Sequence, residues 1–153
     1  MKYKLTLSYD GTNYHGWQFQ KNGITIQEVL ENALSKIFNC NIAVTGCSRT
    51  DARVHAEKYV CSFEGETTIP TSKIATVINT KLPEDIRAYH CEEEKEDFNA
   101  RFDTKKKAYE YRILNREVAD PILRNYVWHY PIKLDVKKMQ KAAKIIQGKR
   151  DFA

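Results

Sequence analysis

With 153 residues, the chain is long enough for one domain with a real core and too short for two comfortable ones. Apolar residues make up 42% and charged residues 29%, the balance of an ordinary soluble globular protein. The formal net charge of +5 permits an anionic partner such as nucleic acid without requiring one. Cys40, Cys47, Cys61 and Cys91 form no C-x-x-C pair, and no histidine stands at zinc-finger spacing from them, which argues against a structural zinc site. Nothing suggests a disulfide-stapled secreted fold, so a reducing compartment is expected. Polar residues alternate through the opening MKYKLTLSYDG, where a signal peptide would be apolar, and no apolar run approaches membrane-spanning length. The expected location is the cytoplasm.

Residues 2 to 9 alternate, with Tyr3, Leu5, Leu7 and Tyr9 on one side and Lys2, Lys4, Thr6 and Ser8 on the other. This predicts a half-buried strand closed by the turn pair Asp10-Gly11. A polar, aromatic loop follows. Thr25 and Glu28 form a capping box, and Ile26, Val29, Leu30, Ala33, Leu34, Ile37 and Phe38 make a sustained helical stripe behind it. Ile42 to Cys47 reads as a second strand and Lys58 to Phe63 as a third. Pro70 to Leu82 offers a second helix, with Thr71 or Ser72 as N-cap and Pro83 as its end. Ile86 to Cys91 reads as a fourth strand. The order β-α-β-β-α-β predicts an α+β fold with a ferredoxin-like core and a mainly antiparallel sheet. Beyond the acidic stretch 92–97, Ala108 to Leu114 reads as an added fifth strand. A helix over about 135 to 147 has Val136, Met139, Ala143 and Ile146 as its apolar stripe. Its lysines 137, 138, 141 and 144 read either as a solvated face or as a patch for an RNA backbone.

The link between the second and third strands, SRTDARVHAE, gathers Arg49, Thr50, Asp51, Arg53 and His55 in a few residues. Taken alone it reads as a solvated turn, where Asp is favoured, or as a functional loop held between rigid strands. Residues 49–56, RTDARVHA, resemble the signature Gly-Arg-Thr-Asp-Ala-Gly-Val-His of the TruA family of pseudouridine synthases. The resemblance extends along the chain. YDGTNYHGWQFQ (9–20) is similar to that family's first strand and loop, and Ile26-Gln27 to the start of its first helix. FNARFDTKKKAYEYRILN (98–115) is similar to its Phe-x-Ala-Arg-Phe segment and Tyr-x-Tyr strand. The closing GKRDFA (148–153) is similar to its Gly-x-x-Asp-Phe element.

The resemblance implies isomerisation of uridine to pseudouridine in the anticodon stem-loop of tRNA, without cofactor or metal. It assigns the essential carboxylate to Asp51. Arg49 becomes the arginine that contacts RNA as the target nucleotide is displaced, Tyr109 the active-site tyrosine, and Arg101 the arginine of the Ala-Arg-Phe segment. Arg53, His55 and Lys107 join Arg101 as candidate RNA contacts. The chemistry of these residue types agrees: breaking a glycosidic bond favours a carboxylate near the anomeric carbon or the base. A base within RNA must also leave its stack, at a cost of about a few kcal/mol, before an aromatic ring can stack on it. Two positions depart from the pattern: Ser48 and Arg53 stand where it has glycine, and Arg53 alters the loop, obstructs the RNA or supplies an extra phosphate contact.

The resemblance further implies two similar halves around the active-site cleft and a homodimeric complete enzyme. Residues 1–115 then form the Asp-bearing domain, and 116–153 a linker and helix leading to a second half beyond this sequence. Two other readings stay open, a non-catalytic RNA-binding module and a fragment kept for dimerisation.

Overall fold

The computed structural model describes residues 1–151. The chain divides into two compact units, Met1–Lys107 and the remainder from Ala108. The first has an α+β architecture. β1 (Lys2–Tyr9), α1 (Ile26–Phe38), β2 (Val44–Gly46), β3 (Ala56–Glu64), α2 (Thr71–Ile78) and β4 (Ile86–Glu94) follow in the expected order. The four strands lie side by side as β2-β3-β1-β4, and every neighbouring pair is antiparallel.

The alternation in β1 explains why it sits in the middle. Tyr3, Leu5, Leu7 and Tyr9 are all buried, and the register sets Tyr3 opposite Phe63, Leu5 opposite Cys61 and Leu7 opposite Tyr59. On its other side β1 sets Leu5 opposite Cys91 and Leu7 opposite Ala88 of β4. Ile26, Leu30, Ala33, Leu34 and Phe38 of α1 and Ile74, Ala75 and Ile78 of α2 complete one continuous apolar cluster with this face. Burying a Leu, Ile or Phe side chain stabilises by about 1.5–3 kcal/mol. The opposite face holds Lys2, Lys4, Thr6 and Ser8. Lys4 pairs there with Glu92 at 2.5 Å and Glu94 at 2.8 Å, and Lys2 with Glu64 at 2.7 Å.

The capping signal of α1 behaves as read: Thr25 Oγ1 accepts the Glu28 N–H at 3.3 Å. The chain leaves α1 through Asn39, which takes a left-handed conformation (φ 54°), as a residue terminating a helix commonly does. Elsewhere the expected boundaries move. α2 stops at Ile78, four residues before Leu82, and Pro70 takes the cap position with no side-chain hydrogen bond, so neither Thr71 nor Ser72 caps it. β4 runs on to Glu94 because pairing with Lys2 and Lys4 of β1 holds its acidic end in the sheet. A short helix missed in the sequence, α3 (Ala100–Asp103), begins at Asn99, whose side chain accepts the Arg101 N–H at 3.0 Å. Its first amide, on Ala100, donates to Ser62 Oγ of β3 at 3.2 Å.

The second unit corrects the expected fifth strand. Only Ile113–Leu114 is extended and paired (β5), and its partner is the unforeseen β6 (Trp128–His129), parallel to it in a separate two-stranded sheet. Tyr109 and Tyr111 alternate as strand residues do, but neither falls in a strand, and both are exposed. α4 (Val136–Ile146) matches the expected helix and is capped by Asp135, which accepts the Lys138 N–H at 3.0 Å. Of the expected Gly-x-x-Asp-Phe element, Phe152 lies outside the described residues.

Candidate active site

The link from β2 to β3 is an exposed loop fastened from beneath. Its backbone is tied at several points to β1, to the 10–17 loop and to β3, mostly through buried aromatic residues. The first tie is at Ser48. The Tyr59 hydroxyl donates to the Ser48 carbonyl oxygen and accepts the Ser48 N–H at 3.3 Å. Burial pushes the Tyr59 phenol far above its ordinary range, so it stays a protonated donor. The second tie is at Thr50, whose carbonyl oxygen accepts the Trp17 N–H at 3.0 Å while its hydroxyl meets the Tyr9 hydroxyl at 2.8 Å. The third is at Arg53, whose N–H donates to the Tyr14 carbonyl oxygen at 3.2 Å. Tyr14 is itself fixed, its hydroxyl donating to Asp85 at 2.6 Å; burial first, and that carboxylate second, raise its pKa. The last is at His55, whose Nδ1 lies 3.1 Å from the Gly11 N–H and 3.0 Å from Asp10 Oδ1. A neutral Nδ1 accepts from the amide; a protonated one donates to the carboxylate.

Two glycines let the 10–17 loop lie flush against this segment. Gly16 has φ +88°, and a Cβ on it would sit 2.6 Å from the Thr50 carbonyl oxygen and 3.2 Å from the Asp51 carbonyl carbon. Gly11 is backed against the Val54 carbonyl group in the same way. The 10–17 loop is in turn tied to the start of α1. The Ile26 N–H donates to Gly16 O at 3.1 Å and the Gln27 N–H to Trp17 O at 3.0 Å, satisfying helix donors that have no partner inside the helix.

On this support Asp51 is exposed, and its carbonyl oxygen accepts the Val54 N–H at 3.2 Å to close a tight turn. Arg49 and Arg53 are exposed on the same loop, and among the described residues their guanidinium groups have no hydrogen-bond or ion-pair partner. Arg49 makes no ion pair with Asp51. Arg53 has φ 66°. The turn therefore needs the left-handed conformation there, which glycine adopts freely and arginine at a cost of about 1–2 kcal/mol.

Of the other candidates, Arg101 is exposed on α3 with its guanidinium 5.7 Å from the centre of the Phe102 ring. Lys107 is exposed at the end of the first unit. Tyr109 belongs to the second unit and is 64% exposed, so it is free to meet a ligand and is not a core residue. The loop thus brings Arg49, Asp51, Arg53 and His55 together, and Arg101, Lys107 and Tyr109 lie on other segments. Of the supporting residues, Tyr9, Gly11, Tyr14 and Gly16 fall within the 9–20 segment that carries the family resemblance, whereas Tyr59 carried no functional signal in the sequence. Trp17 is a further support: it is buried and stacked on Tyr59 at 4.2 Å.

A family model described as tRNA pseudouridine synthase matches residues 6–103. The chain belongs to this family. Over 149 residues, 97% of this chain, it is 51% identical to the tRNA pseudouridine synthase A of Clostridium acetobutylicum. Over 151 residues, 99% of the chain, it is 48% identical to the protein of that name from Ruminiclostridium cellulolyticum. It is 46% identical over 149 residues to the tRNA pseudouridine synthase A 2 of Clostridium perfringens. The chain spans only 61–62% of the length of these relatives. The span matched to the pseudouridine synthase family takes in the whole pinned loop and α3, and ends before Lys107 and Tyr109. Among the described residues no helix is long and apolar enough to cross a membrane.

Proposed function

We propose that the whole protein isomerises uridine to pseudouridine in the anticodon stem-loop of tRNA, with Asp51 as its nucleophile. The observation that carries this reading is the exposed carboxylate on a multiply pinned turn, in a chain of the pseudouridine synthase family. The reaction cuts the bond from ribose to the base nitrogen, turns the base and rejoins it through carbon, so no atom is gained or lost. A carboxylate is suited to it as a nucleophile that holds the sugar or base while the bond is remade. It needs neither metal nor cofactor.

Arg49, two residues away and without a partner among the described residues, contacts the RNA as the target nucleotide leaves its stack. The Tyr109 ring stacks on the displaced base. Arg53, His55, Arg101 and Lys107 meet the RNA around it, the cations at phosphates, which position a substrate without reading its sequence. The enzyme acts in the cytoplasm as a homodimer.

The test is to incubate the protein with unmodified tRNA, label pseudouridine chemically and map it by primer extension, beside Asp51→Ala. Pseudouridine in the anticodon stem-loop that disappears in the variant is the expected result. tRNA bound but unmodified would leave a non-catalytic RNA-binding module. Self-association that ignores tRNA would leave a dimerisation fragment.

A further inference from the structure

Three aromatic rings from three different segments meet under the Asp51 loop. Tyr9 ends β1, Trp17 lies in the loop after it, and Tyr59 lies in β3. The Trp17 and Tyr59 rings stack at 4.2 Å with 27° between planes. Tyr9 leans on both, at 6.3 Å from Trp17 and 5.5 Å from Tyr59. All three are at most 3% exposed. Gly46, the last residue of β2, is shaped to this unit: a Cβ there would meet the Tyr59 hydroxyl and lie 2.5 Å from Trp17 Cε2.

Each ring residue also makes a polar contact upward, and all of these reach the same short stretch. Tyr59 binds both the N–H and the carbonyl oxygen of Ser48. The Trp17 amide holds the Thr50 carbonyl oxygen, and the Tyr9 hydroxyl holds the Thr50 hydroxyl. The loop is therefore gripped one residue before and one residue after Arg49, immediately ahead of Asp51. A hydroxyl bonded to both polar groups of one residue fixes that residue's direction as well as its place.

We infer that Tyr59 is a positioning residue of the catalytic loop, its hydroxyl holding Ser48 so that Arg49 and Asp51 stand in reacting geometry. The inference rests on the proposed role of Asp51. Catalytic groups must be held to about half an ångström to be effective, and an exposed loop does not supply this by itself. The stacked pair supplies a rigid base, and the hydroxyl transmits that rigidity to the backbone. Because burial raises the phenol's pKa, the grip does not loosen even as the pH rises into the alkaline range.

Tyr59→Phe keeps the ring and the stack and removes only the hydroxyl. In the full-length protein, kcat for pseudouridine formation should fall about 10- to 100-fold, the size of effect expected when a reacting group is misplaced by about 1 Å. KM for tRNA should stay within about twofold, because the exposed cations are untouched. Tyr3→Phe is the control. It removes another buried phenol hydroxyl, whose contact is the Met1 sulfur at 3.7 Å, far along β1 from the loop, and should leave kcat unchanged. Hydrogen exchange at the Ser48 and Trp17 amides reads the grip without activity and should quicken in Tyr59→Phe alone. Unchanged kcat or unchanged Ser48 protection in a folded Tyr59→Phe protein overturns the inference. So does a fall in activity that Tyr3→Phe reproduces, or that merely follows loss of folded protein. Asp51→Ala separates the two claims. If it retains pseudouridine formation, the proposed function itself fails; if it is inactive while Tyr59→Phe is unimpaired, only the positioning role fails.

Discussion

The two units of this chain use similar local signals to opposite ends. In Met1–Lys107 the apolar periodicities of β1, α1 and α2 converge on one core, and every buried apolar side chain of the described residues lies at or before Ala100. From Ala108 on, α4 has a well-formed Asp135 cap and an apolar stripe of the same kind, yet Val136, Met139 and Ile146 are exposed. So are Tyr109, Tyr111, Ile122, Trp128 and Ile132. Caps and periodicity are local properties and suffice to form a helix. Burial needs a second surface, and only the first unit has one within itself. That difference matters to the site, because a loop can be held to a fraction of an ångström only over packed side chains. The first unit therefore holds Asp51 over a packed base, as its proposed role requires, whereas Tyr109 of the second is exposed.

The strongest way to break this comparison is to remove the chemistry and watch the fold. If Asp51 is the proposed nucleophile, Asp51→Ala should lower pseudouridine formation on the order of 10³-fold or more. It should leave the melting temperature unchanged, because the exposed carboxylate supports nothing beneath it. A clear loss of stability would mean that the loop depends on Asp51 and not on the aromatic residues. Next in size is a matched pair of truncations. Leu30→Ala, at a fully buried position of α1, should cost about 2–5 kcal/mol in urea unfolding. Ile146→Ala, 62% exposed on α4, should stay within about 0.5 kcal/mol. Equal costs would show that the stripe of α4 is buried in solution.

Much of the first unit was legible because its signals agree with its packing. β1 alternates and becomes the central strand; Thr25 and Glu28 mark the start of α1, and the helix begins at Ile26. The boundaries that moved were set by partners distant in sequence. β4 extends through Glu92–Glu94 because lysines of β1 face it, a pairing that no window of local sequence contains. The fifth strand misled for a similar reason: Tyr109 and Tyr111 alternate as a strand would, but pairing with β6 reaches only Ile113 and Leu114. At the site, the charged residues stood out in the sequence because they cluster between two strands. Their supports did not. Tyr9 read as the last apolar residue of the first strand and Tyr59 as part of the third, and only the structure brings their hydroxyls beneath Ser48 and Thr50.

Arg53 sharpens the comparison within the site, because stability and function should respond in opposite directions. Replacing it with glycine relieves about 1–2 kcal/mol of left-handed strain and returns about 0.5–1 kcal/mol through the freer unfolded chain. The net expectation is a protein more stable by up to about 1.5 kcal/mol in urea unfolding. If the guanidinium meets a phosphate, tRNA affinity should fall and the slope of log affinity against log salt should shrink by about 1. A gain in stability with an unchanged salt slope would leave Arg53 as strain without purpose.

The smallest effect belongs to the other face of the same sheet, where Lys4 is half-buried and held by ion pairs. The hydrogen bonds of Lys4 to Glu92 and then to Glu94 raise its pKa above 10.5, and the bond to Lys4 depresses that of Glu92 below 4.5. The signs fix two windows. The contribution of Glu92 is present above pH 4.5 and is lost as the pH falls through its lowered folded-state value. That of Lys4 is complete below pH 10.5 and is lost as the pH rises through its raised one. Lys4→Met should therefore lower the melting temperature at pH 7 by about 2 °C, the scale of a solvent-screened pair. The difference from the parent protein should narrow towards both acid and alkali. A penalty that stays constant across pH would assign the loss to the packing of the lysine's methylene stem beneath Phe98, whose ring lies 5.7 Å from the Lys4 ammonium.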